Sequence, residues 1–185
     1  MPTRGELPQL LIQAGLSLLD EEGAEGLTLR RIAARAGVSH AAPAHHFGGL
    51  PGLKVAIATH GFQTFLGDLA AARDSLPQGT DPFQVLLTVN LAYIRFAESR
   101  RALFRLMFDQ LPTQDPDLHK SVLASYFLLK DLCAALVTDR PAVPLLTAVW
   151  ALTHGYAALN MDSAYPPGSP VQLSTYEDAL RLLVG

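Results

Sequence analysis

The chain has 185 residues, a hydrophobic content of 49% and a formal net charge of −3. That is enough apolar material for a sizeable core without disulfides or metal, and the mild negative charge excludes a protein that coats nucleic acid along its whole surface. The single cysteine, Cys133, lies in an apolar run; it excludes a disulfide framework or cysteine-rich zinc site within one chain and reads as a buried structural thiol.

Helical periodicity dominates and strand alternation is absent, so the expected fold class is all-α. A first helix is expected over Leu7–Glu22, with Leu7, Leu10, Leu11, Ala14, Leu18 and Leu19 on one stripe, Pro8 in the first turn and Gly23 as its stop. Its apolar positions are periodic rather than continuous, which does not make a signal peptide. No apolar run approaches the ~20 residues of a membrane span. The expectation is a cytoplasmic protein with no membrane partner. A second helix runs from an N-cap at Thr28 to Gly37, with Leu29, Ile32, Ala33 and Ala36 facing inward. A third is expected to start at an N-cap on Ser39 and stop near Gly48 and Gly49. Pro43 then takes its fourth position and deletes its first hydrogen bond.

A long fourth helix is expected over residues 51–75, with Leu53, Ile57, Phe65, Leu66 and Leu69 at helical spacing, followed by a loop over 76–81. A fifth covers 82–98 (Phe83, Leu86, Leu87, Leu91, Ile94), a sixth 100–110 and a seventh 116–138. The eighth, 142–161, is apolar nearly all round. A Pro/Gly/Ser loop over 165–170 leads to a ninth over 173–184. An all-round apolar helix and an apolar terminal helix call for a second surface to cover them, and a homodimer is the natural one. Val143, Leu146, Val149, Ala157, Tyr176, Leu180 and Leu183 are the expected interface.

From Thr28 to Lys54 there are three arginines, one lysine and no acid. Two short helices joined at Gly37, with a cationic face, read as a helix-turn-helix built to meet DNA phosphates. The second helix of such a motif presents its first residues to base edges. Here these are Ser39, His40, Ala41 and Ala42. His40 can donate or accept at a base, and the alanines allow close approach and a contact to a thymine methyl. Ala44, His45 and His46 follow one turn later; Thr28, Arg30, Ser39 and His46 suit phosphate contacts. The alternative is a solvated helical hairpin, since arginines on exposed faces are common. The histidine spacing places no two imidazoles on one helix face, so no metal site is expected. There is no G-x-S-x-G elbow, P-loop or dinucleotide fingerprint, so neither an enzyme nor a cofactor is expected.

In the rest of the chain, Asn90 lies on the apolar stripe of the fifth helix and a buried amide needs partners. Asn90, Phe104, Phe108, Trp150 and His154 are the candidate small-molecule contacts, against the alternative that they are core.

The run EEGAEGLTLRRIAARAGVSHAAPAHHF, followed by Gly48, Gly49 and Leu53, closely resembles the N-terminal domain of TetR-type transcriptional regulators, and RGELPQLLIQAGLSLLDEEG resembles their first helix. Trp150, His154 and Gly155, within VWALTHGYAAL, resemble the Trp-His-Gly signature of one C-terminal ligand domain in that family. The resemblance implies a homodimeric ligand-responsive regulator. Residues 1–50 would form the helix-turn-helix domain and residues 51–185 a helical ligand-binding and dimerisation domain. It would bind a double-stranded, palindromic DNA operator and release it on binding a small, largely apolar effector. Two positions depart from the family pattern. Ala44 stands where a tyrosine is usual and Leu50 where a lysine is usual, so two phosphate contacts are missing. Pro51 and Gly52 replace polar residues in the following turn. These departures motivate an alternative: a dimeric small-molecule sensor that has lost specific DNA binding.

Overall fold

The computed structural model describes residues 6–111, 113–137, 141–159 and 173–184. Among them no strand occurs. The helices are α1 (Leu7–Glu22), α2 (Leu29–Ala36), α3 (Ala42–Phe47), α4 (Leu50–Asp74), α5 (Pro82–Ser99), α6 (Arg101–Asp109), α7 (Pro116–Ala134), α8 (Ala142–Leu159) and α9 (Tyr176–Val184), with a 3-10 turn at Ala24–Gly26. The expected helix ends at Thr138 and Met161 and the loop over 165–170 lie outside the described residues. Contacts group the chain into two compact units: Met1–Thr64 with Arg100–Val122, and Phe65–Ser99 with Leu123–Gly185. This division differs from a boundary at residue 50. The first unit takes in the opening half of α4, because Leu53, Ile57 and Phe62 are buried there.

In the first unit, α1 packs on α2, α3 and α6. Leu11, Leu18 and Leu19 of α1, Ile32 and Ala33 of α2, Leu53 and Ile57 of α4 and Met107 of α6 are essentially inaccessible. Each of the leucine, isoleucine and methionine side chains among these contributes on the order of 1.5–3 kcal/mol on burial. Two glycines permit close approach: a Cβ on Gly15 would lie 2.5 Å from Ile57 Cδ1, and one on Gly61 would lie 2.8 Å from Met107 Sδ. Gly52 is the strictest case, since a Cβ there would lie 1.9 Å from the Phe47 carbonyl oxygen. The replacement of a polar residue by glycine at this position has a steric reason.

In the second unit, α8 packs on α5 and α9. Its core holds Phe65, Leu86, Tyr93, Phe96, Cys133, Leu146, Val149, Tyr156, Tyr176 and Leu180. The expected dimer face needs correction here. Leu146, Val149, Ala157, Tyr176 and Leu180 are buried within the chain itself and have no surface to offer a partner. Val143 and Leu183 are exposed. The exposed side of α8 carries Val143 and Trp150 at 53 and 45% accessibility, and Leu159, the last residue of the helix, is 67% exposed. By length and mean hydropathy (1.3 over 18 residues) α8 could cross a membrane; its buried side is core against α5 and α9.

Candidate nucleic-acid interface

The α2–turn–α3 segment is built by local chemistry. Thr28 is extended (φ −131°, ψ 147°), and its Oγ1 accepts from the Arg31 backbone N–H at 3.3 Å. This satisfies one of the first-turn donors that a helix leaves unpaired. Gly37 is left-handed (φ 67°, ψ 32°). There its own N–H and that of Val38 donate to the Ala34 and Ala33 carbonyls at 3.2 and 3.0 Å. A residue without Cβ adopts this conformation at little cost. Ile32 and Ala33 hold α2 to the core; Leu29 and Ala36, also expected to face inward, are half-buried.

The third helix starts later than expected. The Ala42 N–H donates to the Ser39 carbonyl at 3.0 Å. Residues 39–42 therefore form a turn, Ser39 is not the cap, and Ala41 occupies the capping position. Pro43 falls in the first turn of α3, where its missing N–H has no intrahelical partner to lose. No hydrogen bond is deleted, and the proline ring is buried. Ser39, His40, Ala41, Ala44 and His45 are exposed and Ala42 is half-buried; Thr28 and Arg30 are exposed at the start of α2. His46 is placed differently: it is half-buried and lines a cleft of about 600 Å³ within the first unit, together with His60, Asp115 and Asp117.

The charge of this head is more balanced than the run of residues implies. Arg35 donates to Glu21 with both terminal nitrogens, at 2.7 and 2.6 Å, and Arg31 pairs with Glu22. The hydrogen bond from Arg35 holds the Glu21 carboxyl below its usual range and raises Arg35 in turn. Arg30 makes no ion pair among the described residues. Two of the three arginines thus face carboxylates from the end of α1, brought alongside by the turn through Gly23 and Ala24–Gly26.

The candidate small-molecule contacts fall in both units. Phe104 and Phe108 belong to the first, where Phe108 meets Phe62 and Phe104 with ring centroids 5.5 and 4.8 Å apart. Asn90, Trp150 and His154 belong to the second. There the buried Tyr93 hydroxyl lies 2.8 Å from His154 Nδ1, and burial lowers the His154 pKa from its ordinary value. A neutral imidazole carries its hydrogen on one nitrogen and accepts at the other, so the sense of the Tyr93–Nδ1 bond follows the tautomer. The Thr153 hydroxyl donates to the Val149 carbonyl at 2.7 Å and lies 2.7 Å from the Tyr176 hydroxyl. Tyr156 donates to the Ser174 carbonyl. Tyr93 and Thr153 did not stand out in the sequence; the available signal was Tyr93 one turn beyond Asn90 on the buried face of α5.

Comparison with known proteins is consistent with this arrangement. The family described as tetracyclin repressor-like, C-terminal domain, matches residues 86–183, just over half of the chain. The family described as bacterial regulatory proteins, tetR family, matches residues 11–49. No curated protein matches. Among solved structures, a protein of unknown function from Rhodococcus sp. RHA1 is 27% identical with a TM-score of 0.77, over 95% of this chain and 90% of its own. The multidrug binding protein EbrR, in complex with imidazole, is 21% identical with a TM-score of 0.68, over 100% of this chain and 94% of its own. A TetR-like transcriptional regulator from Rhodococcus sp. RHA1 is 18% identical with a TM-score of 0.67, over 100% and 96%.

Proposed function

The chain belongs to the TetR family of bacterial transcriptional regulators, which are not enzymes, and from that premise we propose that it is a ligand-responsive repressor. It binds a palindromic operator as a homodimer and leaves the DNA when a small molecule binds. The observation that carries this reading is the exposed start of α3. Ser39, His40, Ala41, Ala44 and His45 face solvent together, on a short helix held by the Gly37 turn and by buried Pro43. Small and hydrogen-bonding side chains at the start of a second helix are what direct readout in a major groove requires. Thr28 and Arg30 flank this face and supply phosphate contacts. The dimer uses the exposed side of α8, around Val143 and Trp150, with the exposed Leu182 and Leu183 of α9. The effector site lies in the second unit, around Asn90 and His154. Release requires that the effector bind the DNA-incompetent state better than the competent one.

The test is selection of bound DNA from a random pool at low and at moderate salt. Recovery of a palindrome supports the reading. A second reading is a dimeric sensor without specific DNA binding. It is favoured by the pairing of Arg31 and Arg35 with Glu22 and Glu21 and by the non-polar Ala44 and Leu50. Recovery of nothing even at low salt, where phosphate contacts are strongest, selects it.

A further inference from the structure

The cleft of about 600 Å³ in the first unit opens between α1, the last turn of α3, the first half of α4 and the start of α7. It lies at the opposite end of α3 from the residues offered to base edges. Small-molecule sites span about 300–1,000 Å³. Ile12, Phe47, Val55 and Ala56 give the cleft an apolar lining. Its polar lining has capacity that the fold leaves unspent. Asp115 caps α7 with one carboxylate oxygen, Oδ1, which accepts from the Asp117 and Leu118 N–H groups at 3.1 and 2.9 Å. Among the described residues, no hydrogen bond or ion pair engages its other oxygen, the Asp117 carboxylate or the His60 ring. The Thr59 hydroxyl donates to the Val55 carbonyl at 2.9 Å, so its oxygen can only accept further.

Charge selects the class of ligand. Two carboxylates line the cleft, and no lysine or arginine does. An anion would be repelled there, and a neutral molecule would leave the carboxylates without a counter-charge. A cation gains charge-assisted hydrogen bonds from them. A bare metal ion does not fit, because among the described residues no group of three or more His, Cys, Asp or Glu is placed to hold one. The free groups of Asp115, Asp117 and Thr59 are acceptors, so the cation has to bring N–H donors. The apolar lining calls for a hydrocarbon body behind them. We propose that this cleft binds a monovalent organic cation, an amidine or guanidine carried on an apolar ring. Asp115 and Asp117 take its N–H groups, and Ile12, Phe47 and Val55 take its ring. Such a site is separate from the effector site around Asn90 and His154 and does not depend on DNA binding. A ligand held there joins the end of α3 to the start of α7.

Benzamidine is the probe, with benzamide (nearly the same shape, neutral) and benzoate (an anion) as controls. Binding to the full chain is read by calorimetric titration, and its place by the NMR ring resonances of His46 and His60, which line the cleft. Benzamidine is expected to bind saturably and to shift both histidines. Benzamide is expected to bind about tenfold or more weakly, and benzoate not to bind. Asp115→Asn combined with Asp117→Asn removes both charges. Asparagine still caps a helix, so this chain is expected to fold and to lose about tenfold or more in benzamidine affinity. Ala56→Leu fills the cleft without altering its charge and is expected to weaken benzamidine as well. Circular dichroism checks that both variants keep the helical content of the parent. Equal binding of benzamide or benzoate, no saturable binding of benzamidine, unmoved His46 and His60 resonances, or unchanged benzamidine affinity in either variant overturns the proposal.

Discussion

Arg35 grips Glu21 through two parallel N–H···O bonds, at 2.7 and 2.6 Å, across the corner between α1 and α2. With Arg31 bound to Glu22, two carboxylates neutralise two of the three arginines of α2, and on the proposed function they would compete with DNA phosphates for them. Both pairs are solvent-exposed, so they exchange readily and their significance lies in charge balance rather than stability. Glu21→Gln removes the competing charge while keeping the shape. It is expected to tighten DNA binding at low salt and to steepen the dependence of log K on log salt by about 0.9 for one further phosphate neutralised. Fluorescence anisotropy on an operator duplex across a salt series measures this. An unchanged slope would mean that Arg35 does not reach a phosphate.

Two glycines of α4 are expected to respond in opposite directions to the same substitution. A Cβ on Gly52 would meet the Phe47 carbonyl oxygen at 1.9 Å, a backbone atom that cannot rotate away. Gly52→Ala is therefore expected to force apart the corner between α3 and α4 and to cost roughly 1–3 kcal/mol, the range for overpacking. Weaker DNA binding should accompany it. Gly67 is exposed in the same helix, and a methyl group there would have no neighbour within 4 Å. Gly67→Ala should stabilise by about 0.5–1 kcal/mol, the helix-propensity difference. Urea unfolding of both variants checks the pair, and a destabilised Gly67→Ala would contradict it.

Burial raises the Tyr176 phenol from its ordinary 10.0 to about 12. The folded state thus holds a proton that the unfolded state releases sooner. The resulting stabilisation is fully present below pH 10 and disappears as pH rises through about 12. It amounts to roughly 2–3 kcal/mol over that window, at about 1.4 kcal/mol per unit. Cys133, raised from 9.0 to about 11, adds a window of the same sign that begins at lower pH. Denaturant midpoints should fall across alkaline pH in the parent chain and fall less steeply in Tyr176→Phe. Equal slopes would show that Tyr176 ionises as freely in the folded chain as in the unfolded one.

His40 stands exposed at the entry to α3, where a base edge would meet it. His40→Ala is expected to cost about tenfold or more in discrimination between the selected operator and its single-base variants, the scale of one lost base contact. His46→Ala should change discrimination little, because that ring lines the cleft with His60. Competition binding with a set of operator variants separates the two residues.

The parts legible in the sequence were those set by neighbours along the chain. The stripe ending at Gly23 gave α1 its bounds, and Thr28 with Gly37 gave α2 both caps. The start of α3 was less legible, because Ser39 suits a turn as well as it suits a cap, and only the Ala42-to-Ser39 bond decides between them. Glu21 and Arg35 are 14 residues apart, so their pairing depends on the path of the chain between α1 and α2. On α8 the residues are apolar nearly all round. Its periodicity therefore could not separate Leu146 and Val149, which are core, from Val143 and Trp150, which are exposed.

That exposed face supplies the last prediction. Trp150 is 45% exposed and Leu182, on α9, is 87% exposed. A large aromatic on an apolar helix face is the residue type that most often dominates an interface. Substituting Leu182 should act on association while sparing the fold, since it is not core, whereas Trp150→Ala also removes a hydrogen bond to the buried Tyr93 hydroxyl. Leu182→Asp places a charge where a partner would exclude water, and Trp150→Ala removes the aromatic anchor. Each is expected to shift sedimentation from dimer toward monomer with helical content unchanged. DNA affinity should fall with it, because one reading head spans only one half-site and the second lies ~34–36 Å along the duplex, or a multiple of that. A parent chain that sediments as a monomer at every concentration would remove the dimer. A dimer that persists in both variants would move its interface away from α8 and α9.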